Sequence, residues 1–174
     1  MKLTPTAQKF ILHWGEMGTR WGINRTVAQV HALLFIAPKP LHAEEISETL
    51  AVARSNVSTS LRELQGWGIV KVTHVLGDRR DHFESMKDVW ELFQVVIAER
   101  KRREIDPTLL VLRECVAEAE KPGNIDAHGK ERLKELLNFF ETMTGFYEQI
   151  RGVPASGLLK LAKAADRVKK LIGL

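Results

Sequence analysis

The 174-residue chain has a single cysteine, Cys115, which excludes an intramolecular disulfide and any zinc or iron–sulfur site built from several cysteines. The histidines, His13, His31, His42, His74, His82 and His128, show no metal-ligand spacing with Cys115 or with acidic partners, so no metal and no cofactor is expected. No stretch approaches the twenty apolar residues of a membrane span, and Met1-Lys2-Leu3-Thr4-Pro5 opens without an apolar signal core. A cytosolic protein without membrane association is the expectation. Also missing are a glycine-rich phosphate loop, a paired-carboxylate motif, a Ser-His-Asp constellation and an activated-cysteine context, so nothing in the sequence supports an enzyme. The net charge of +4 is by itself a weak argument for nucleic acid; where the charges fall says more.

What is present concentrates between Leu41 and Ser85. Residues 43–50 form a short amphipathic segment with Ile46 and Leu50 on one face, and Ala51-Val52-Ala53 is a tight connection. Residues 54–65 then place Val57, Leu61 and Leu64 on the buried stripe of a second helix, with Gly66 as its stop. The opposite face carries Arg54, Ser55, Asn56, Ser58, Thr59 and Arg62. Ser, Thr and Asn are poor choices for helix stability, because they compete for backbone hydrogen bonds. Hydroxyls, an amide and guanidinium groups are, however, what reads base edges and holds phosphates in a major groove, and no carboxylate interrupts residues 51–62. The plain alternative for this face is an ordinary polar surface helix.

Residues 69–75 alternate in the manner of a half-buried strand, Gly77-Asp78 supplies turn chemistry, and His82-Phe83-Glu84 returns. Arg79 and Arg80 occupy the tip of this ribbon, where a guanidinium can enter a minor groove. Asp78 and Asp81 bracket them and read as local partners that hold the arginine side chains; a solvated turn is the alternative. The two helices and the ribbon make a winged helix-turn-helix, with residues 54–65 as the recognition helix and 76–82 as the wing. Fold class is therefore mainly α with a small β-hairpin wing, flanked by N- and C-terminal dimerisation helices. At this length one well-cored domain with a helical extension is expected, divided at residues 1–86 and 87–174.

The flanks are helical. Residues 6–17 and 26–36 form two N-terminal helices, the second stopped by Pro38 and Pro40, and Phe10, Trp14, Met17 and Trp21 fall on one stripe. Residues 87–103 carry Val89, Leu92, Phe93, Val96 and Ile97 on an expected buried side, then turn basic at Arg100-Lys101-Arg102-Arg103. That run either extends a DNA footprint or is a solvated helix end. Asp106-Pro107 either starts a new helix or kinks one long one. Cys115, within an apolar helical run, reads as a small buried hydrophobe rather than a redox sensor. Leu133, Leu136, Leu137, Phe140, Met143, Tyr147 and Ile150 form one apolar seam, and Leu158, Leu161, Ala165, Val168 and Ile172 a second, which suits a helical hairpin or a homodimer.

Leu61-Arg62-Glu63-Leu64 with Trp67-Gly68-Ile69-Val70, the Gly77-Asp78-Arg79-Arg80-Asp81 wing, and Arg102-Arg103-Glu104-Ile105-Asp106-Pro107 together resemble the GbsR-like branch of the MarR superfamily. The likeness extends through Trp14-Gly15, Trp21-Gly22 and Val30-His31-Ala32-Leu33-Leu34, covering roughly residues 7–115. It departs at Ala53 and His42, where a Ser or Thr helix cap is more usual. The resemblance implies a dimeric transcriptional regulator, usually a repressor, that binds double-stranded DNA at a palindromic operator. In some members it implies a response to choline-like osmolyte precursors. An aromatic cage of Trp14, Trp21, Trp90 and Phe93 is a candidate effector pocket for such a cation, against ordinary aromatic packing as the alternative. A winged helix used for protein–protein docking is the competing function.

Overall fold

The computed structural model describes residues 2–154 and, beyond them, 156, 157, 160 and 164. The second C-terminal seam, Leu158 to Ile172, lies outside the described residues. The chain divides into two compact units, Met1–Val95 and Val96–Leu174.

The first unit begins with α1 (Pro5–Arg20), whose first turn is capped by the Thr4 hydroxyl accepting from the Ala7 N–H at 3.2 Å, with Pro5 where no donor is needed. Its buried face is Ile11, Gly15 and Gly18, not the aromatic stripe. The reason is steric. A Cβ at Gly18 would stand 2.5 Å from the Ala28 Cβ, so α2 (Arg25–Ile36) approaches α1 where α1 has no side chain. The aromatics lie along the flank of this contact, Phe10 against Trp14 at 5.5 Å and Trp14 edge-on to Trp21 at 6.0 Å.

Helix α2 is buried at Val27, Ala28, Val30, His31, Ala32, Leu33 and Leu34. It ends at Ala37, extended as a residue before proline must be. A two-residue strand that sequence reading missed, β1 (Leu41–His42), leads into α3 (Ala43–Leu50) and, through a left-handed Ala51, into α4 (Arg54–Gly66). The turn is held by Ser47, whose hydroxyl donates to the Val52 carbonyl at 2.7 Å. Val57, Ser60, Leu61 and Leu64 bury α4, which packs on α2 and α3.

Strands β2 (Val70–Thr73) and β3 (His82–Ser85) complete a three-stranded antiparallel sheet in the order β1-β3-β2. The register sets Leu41 and Val72 on either side of Phe83, and His42 and Thr73 on either side of His82. The alternation expected over 69–75 is absent: Ile69 and Val70 are buried, whereas Val72 and Val75 are exposed. Beyond Val70 strand β2 runs exposed at the edge of the sheet, while its neighbour β3, flanked on both sides, stays buried at His82 and Phe83.

Helix α5 (Val89–Arg100) spans the boundary between the units. Of its expected buried side only Leu92 is buried; Val89 and Phe93 are exposed, and Val96 and Ile97 are half-buried. A π-helical turn (Lys101–Ile105) joins it to α6 (Asp106–Ala119), so the segment is one helix with a local irregularity rather than a fresh start at Asp106. Asp106 caps nothing; its carboxylate binds Lys101 at 2.7 Å. Helix α7 (Ala127–Ile150), capped by Asp126, packs antiparallel to α6, with ion pairs of Arg113 to Glu141 at 3.0 Å and of Lys130 to Glu120 at 2.5 Å. Cys115 is half-buried.

Two expectations follow from the α1–α2 contact. Gly18→Ala should lower stability by about 1–3 kcal/mol in urea denaturation despite better helix propensity, because the added methyl meets Ala28. Adding Ala28→Gly to that variant should recover part of the loss.

His31 is 7% exposed, with Nε2 lacking a hydrogen-bond partner, and burial lowers its pKa to about 4. An unfolded histidine takes its proton near 6.5, so between these values the unfolded chain binds more protons. The contribution is full above about pH 6.5 and is lost as pH falls through about 4, amounting to at most about 3 kcal/mol. Denaturation midpoints measured from pH 7 to 4 should fall more steeply for the wild type than for His31→Leu; equal slopes would refute this account.

Candidate nucleic-acid interface

Helix α4 turns Arg54, Ser55, Asn56, Thr59 and Arg62 to solvent, with Ser58 half-buried beside them. One face thus collects all six polar residues because Val57, Ser60, Leu61 and Leu64 fix the other against the core. Ala53 precedes the helix without any side-chain cap, and its first turn holds no acidic residue. The free N–H groups at this end are therefore available to an anion, and nothing local repels one.

The arginines differ in their partners. Arg54 meets Glu44 of α3 at 2.7 Å while its side chain stays largely exposed. Arg62 makes no ion pair among the described residues and extends from the middle of the exposed face.

On the wing, the Asp78 N–H donates to the Val75 carbonyl at 3.0 Å, closing a turn whose third residue, Gly77, has φ +86°. That angle is the reason for glycine there. Arg80 donates to Asp78 three ways: backbone N–H to Oδ1 at 3.0 Å, Nε to Oδ1 at 2.9 Å and Nη2 to Oδ2 at 2.5 Å. These bonds hold the Asp78 carboxyl well below the usual carboxylate range. Asp81 is exposed and, like Arg79, makes no ion pair among the described residues. The expected bracket of two aspartates around two arginines is thus one Asp78–Arg80 clamp beside a free Arg79.

Sequence reasoning overlooked Leu76, fully exposed at the corner of the turn next to exposed Val75. Its position between two β-prone runs was the available signal. Sequence reasoning marked His42 only as an unusual cap position and His82 only as part of a returning strand, yet both are buried and their rings meet edge-to-face with centroids 5.5 Å apart. His42 supplies the missing cap of α3. Its Nδ1 lies 3.3 Å from the Glu45 N–H, and Glu45 Oε2 accepts from the His42 N–H at 3.2 Å, a capping box with imidazole in place of a hydroxyl.

The remaining candidates fall elsewhere. Trp14, Trp21, Trp90 and Phe93 are set as two ring pairs, Trp14 with Trp21 and Trp90 with Phe93 at 5.5 Å, and Trp14 is further engaged by Phe10 and His31. In the basic run, Lys101 binds Asp106 and Glu148, and Arg102 binds Glu99 at 2.6 Å, so both charges are matched within their own surroundings. Among the described residues no helix is long and apolar enough to cross a membrane.

Comparison with known proteins agrees with this geometry. Residues 21–81, which span α2 through the wing, match the MarR family. The chain is 22% identical over 139 residues to the HTH-type transcriptional repressor GbsR of Bacillus subtilis (strain 168), covering 78% of this chain and 77% of that protein. It is 19% identical over 131 residues to the HTH-type transcriptional repressor OpcR of the same organism, covering 74% and 71% respectively. A crystal structure described as a transcriptional regulator superimposes with a TM-score of 0.65 at 21% identity, over 85% of this chain and 97% of that one, so the fold is shared nearly end to end. The match over the winged-helix segment and the two relatives aligned along about three quarters of the chain point the same way: the chain is similar to MarR-type winged-helix regulators, and to GbsR and OpcR among them.

Proposed function

We propose that the protein is a sequence-specific double-stranded-DNA-binding transcriptional regulator that acts as a repressor, α4 lying in the major groove and the 76–82 wing in the minor groove. The observation that carries this reading is the exposed Ser55, Asn56, Thr59 and Arg62 face on a helix whose other side is anchored, beside a ribbon that presents Arg79 and Arg80. The relatives named as transcriptional repressors support the direction of regulation.

The roles divide by chemistry. Asn56, Ser55 and Thr59 have the donors and acceptors that discriminate base edges, whereas Arg62 and Arg79 carry charge free to meet phosphate. Arg80, oriented by Asp78, is the group suited to a narrow minor groove. Fluorescence anisotropy against the DNA upstream of the protein's own gene, at several salt concentrations, tests the assignment. Wild type should bind with a steep salt slope. Arg62→Ala and the Arg79→Ala, Arg80→Ala double variant should each lose binding at least roughly tenfold and flatten the slope by about one per phosphate contact removed. If both variants matched the wild type on every duplex, the winged helix would be a protein-docking module instead.

We further propose a homodimer that pairs two recognition helices with the halves of a palindromic operator, about 34 Å or one duplex turn apart. Helix α7 supports it. Leu133, Leu137, Phe140 and Tyr147 are half-buried, while Leu136, Phe139, Met143 and Phe146 form a separate exposed stripe at spacings of three, four and three. That pattern is the seam of a helix awaiting a like partner. Sedimentation equilibrium should give a dimer for wild type and a monomer for Phe139→Glu with Phe146→Glu, and operator affinity should fall with it; a dimer in both would place the interface elsewhere.

A further inference from the structure

An arginine on a solvent-exposed ribbon does not hold its direction through one exposed ion pair, because such pairs contribute little against side-chain entropy. Asp78 lies on the same turn and needs an anchor of its own. His82 supplies it through the Arg80 backbone, and its Nε2 bonds the carboxylate itself only when the ring carries both protons. Its ring is 6% exposed, Nδ1 lies 3.0 Å from the Arg80 carbonyl and Nε2 lies 3.5 Å from Asp78 Oδ2. A carbonyl can only accept, so Nδ1–H donates to it. One buried ring thereby fixes the Arg80 backbone and faces the carboxylate that holds the Arg80 guanidinium.

His82 is itself held from the other side. It pairs with His42 across β1 and β3, and His42 is fixed as the cap of α3. The same His42 Nδ1 has Glu44 Oε2 as a neighbour at 3.0 Å, without a hydrogen bond while its lone pair accepts from the Glu45 N–H, and Glu44 Oε1 binds Arg54 at the start of α4. The Glu44 and Glu45 carboxylates also contribute favourably at the Arg80 guanidinium. A series of neighbouring groups thus runs from Arg54 through Glu44 and His42 to His82, Asp78 and Arg80, its middle link being the edge-to-face contact of the two histidine rings.

We infer that His82, braced by His42, is a positioning residue that sets the direction of the wing arginine Arg80 relative to α4, an inference that rests on the DNA-binding reading above. The two histidines fix the distance between the group proposed for the major groove and the group proposed for the minor groove. Neither touches DNA. They act by denying Arg80 its other orientations before the encounter, which lowers the ordering cost of binding.

A double-mutant cycle separates this role from a general contribution to folding. His82→Phe keeps a ring and removes both nitrogens, and should weaken operator binding about tenfold, close to the loss caused by Arg80→Ala. With Arg80→Ala already present, His82→Phe should cost nothing more. His82→Asn, whose amide can reproduce the Nδ1 donor, should recover most of the affinity, and His42→Asn, a good helix cap without the ring, should behave like a milder His82→Phe. Additive losses from His82→Phe and Arg80→Ala, or an unaffected His82→Phe, would overturn the inference. A second measurement needs no DNA: the Arg80 Nε–H resonance in ¹H–¹⁵N spectra, assigned by its loss in Arg80→Lys, should shift towards the free-guanidinium position in His82→Phe and be retained in His82→Asn. An unchanged resonance in His82→Phe would overturn the positioning role whatever the DNA result, whereas a wild type that binds no duplex would overturn the function and leave this arm to decide the geometry.

Discussion

Helix α2 is the constraint on which the first unit depends. It is buried along most of its length and takes α1, α3, α4 and β3 against its surface, so each of those elements is placed by its contact with one rod. The close approach of α1 at Gly18 and Ala28 fixes one side, and Val57, Leu61 and Leu64 of α4 fix another. Because α4 is anchored chiefly by the apolar contacts of its inner face, its outer face is released from most of its duty to stability. That release is what allows Ser55, Asn56 and Thr59, each a weak helix former, to occupy consecutive turns of a helix that still forms.

The second unit follows the opposite logic. Helices α6 and α7 share an antiparallel contact laced with ion pairs, yet α7 has no buried residue among those described and leaves four large apolar side chains on one exposed line. A monomeric surface of that kind is unfavourable in water and is a normal feature of a chain that assembles. The proposed dimer turns this surplus into function. An operator with two half-sites one turn apart accepts only a fixed spacing of recognition helices, and spacing is set where the two copies meet.

The sequence was most legible where one period and one cap coincided. Residues 43–50 and 54–65 came out as α3 and as α4 to within one residue, because apolar spacing, the short connection and Gly66 all gave the same limits. It was least legible where burial is decided by what an element meets. Phe10, Trp14, Met17 and Trp21 make a strong stripe, but α1 is buried through glycines, which carry no signal in hydrophobic periodicity. Val89 and Phe93 of α5 were taken for core by the same rule and are exposed. Strand β1 is two residues long and is defined by its partner β3 alone. The site showed the same division: the polar face of α4 could be read from spacing, whereas the contact between His42 and His82 joins positions forty residues apart through that unreadable strand.

The pairing of arginines with carboxylates bears on how this interface can discriminate. Arg54 and Arg80 each enter any encounter with Glu44 or Asp78 attached, so part of their attraction for phosphate is already spent within the protein. Nonspecific affinity, which is nearly all electrostatic, is lowered by that arrangement. Affinity for the right sequence is lowered less, because an arginine held in direction loses less freedom when a groove of matching width accepts it. In the proposed function the unpaired Arg62 and Arg79 are the groups left to supply the salt-dependent attraction between the two surfaces. With a net charge of only +4 on the whole chain, a protein that must distinguish one site among very many gains more from fixing two of its cations than from freeing them.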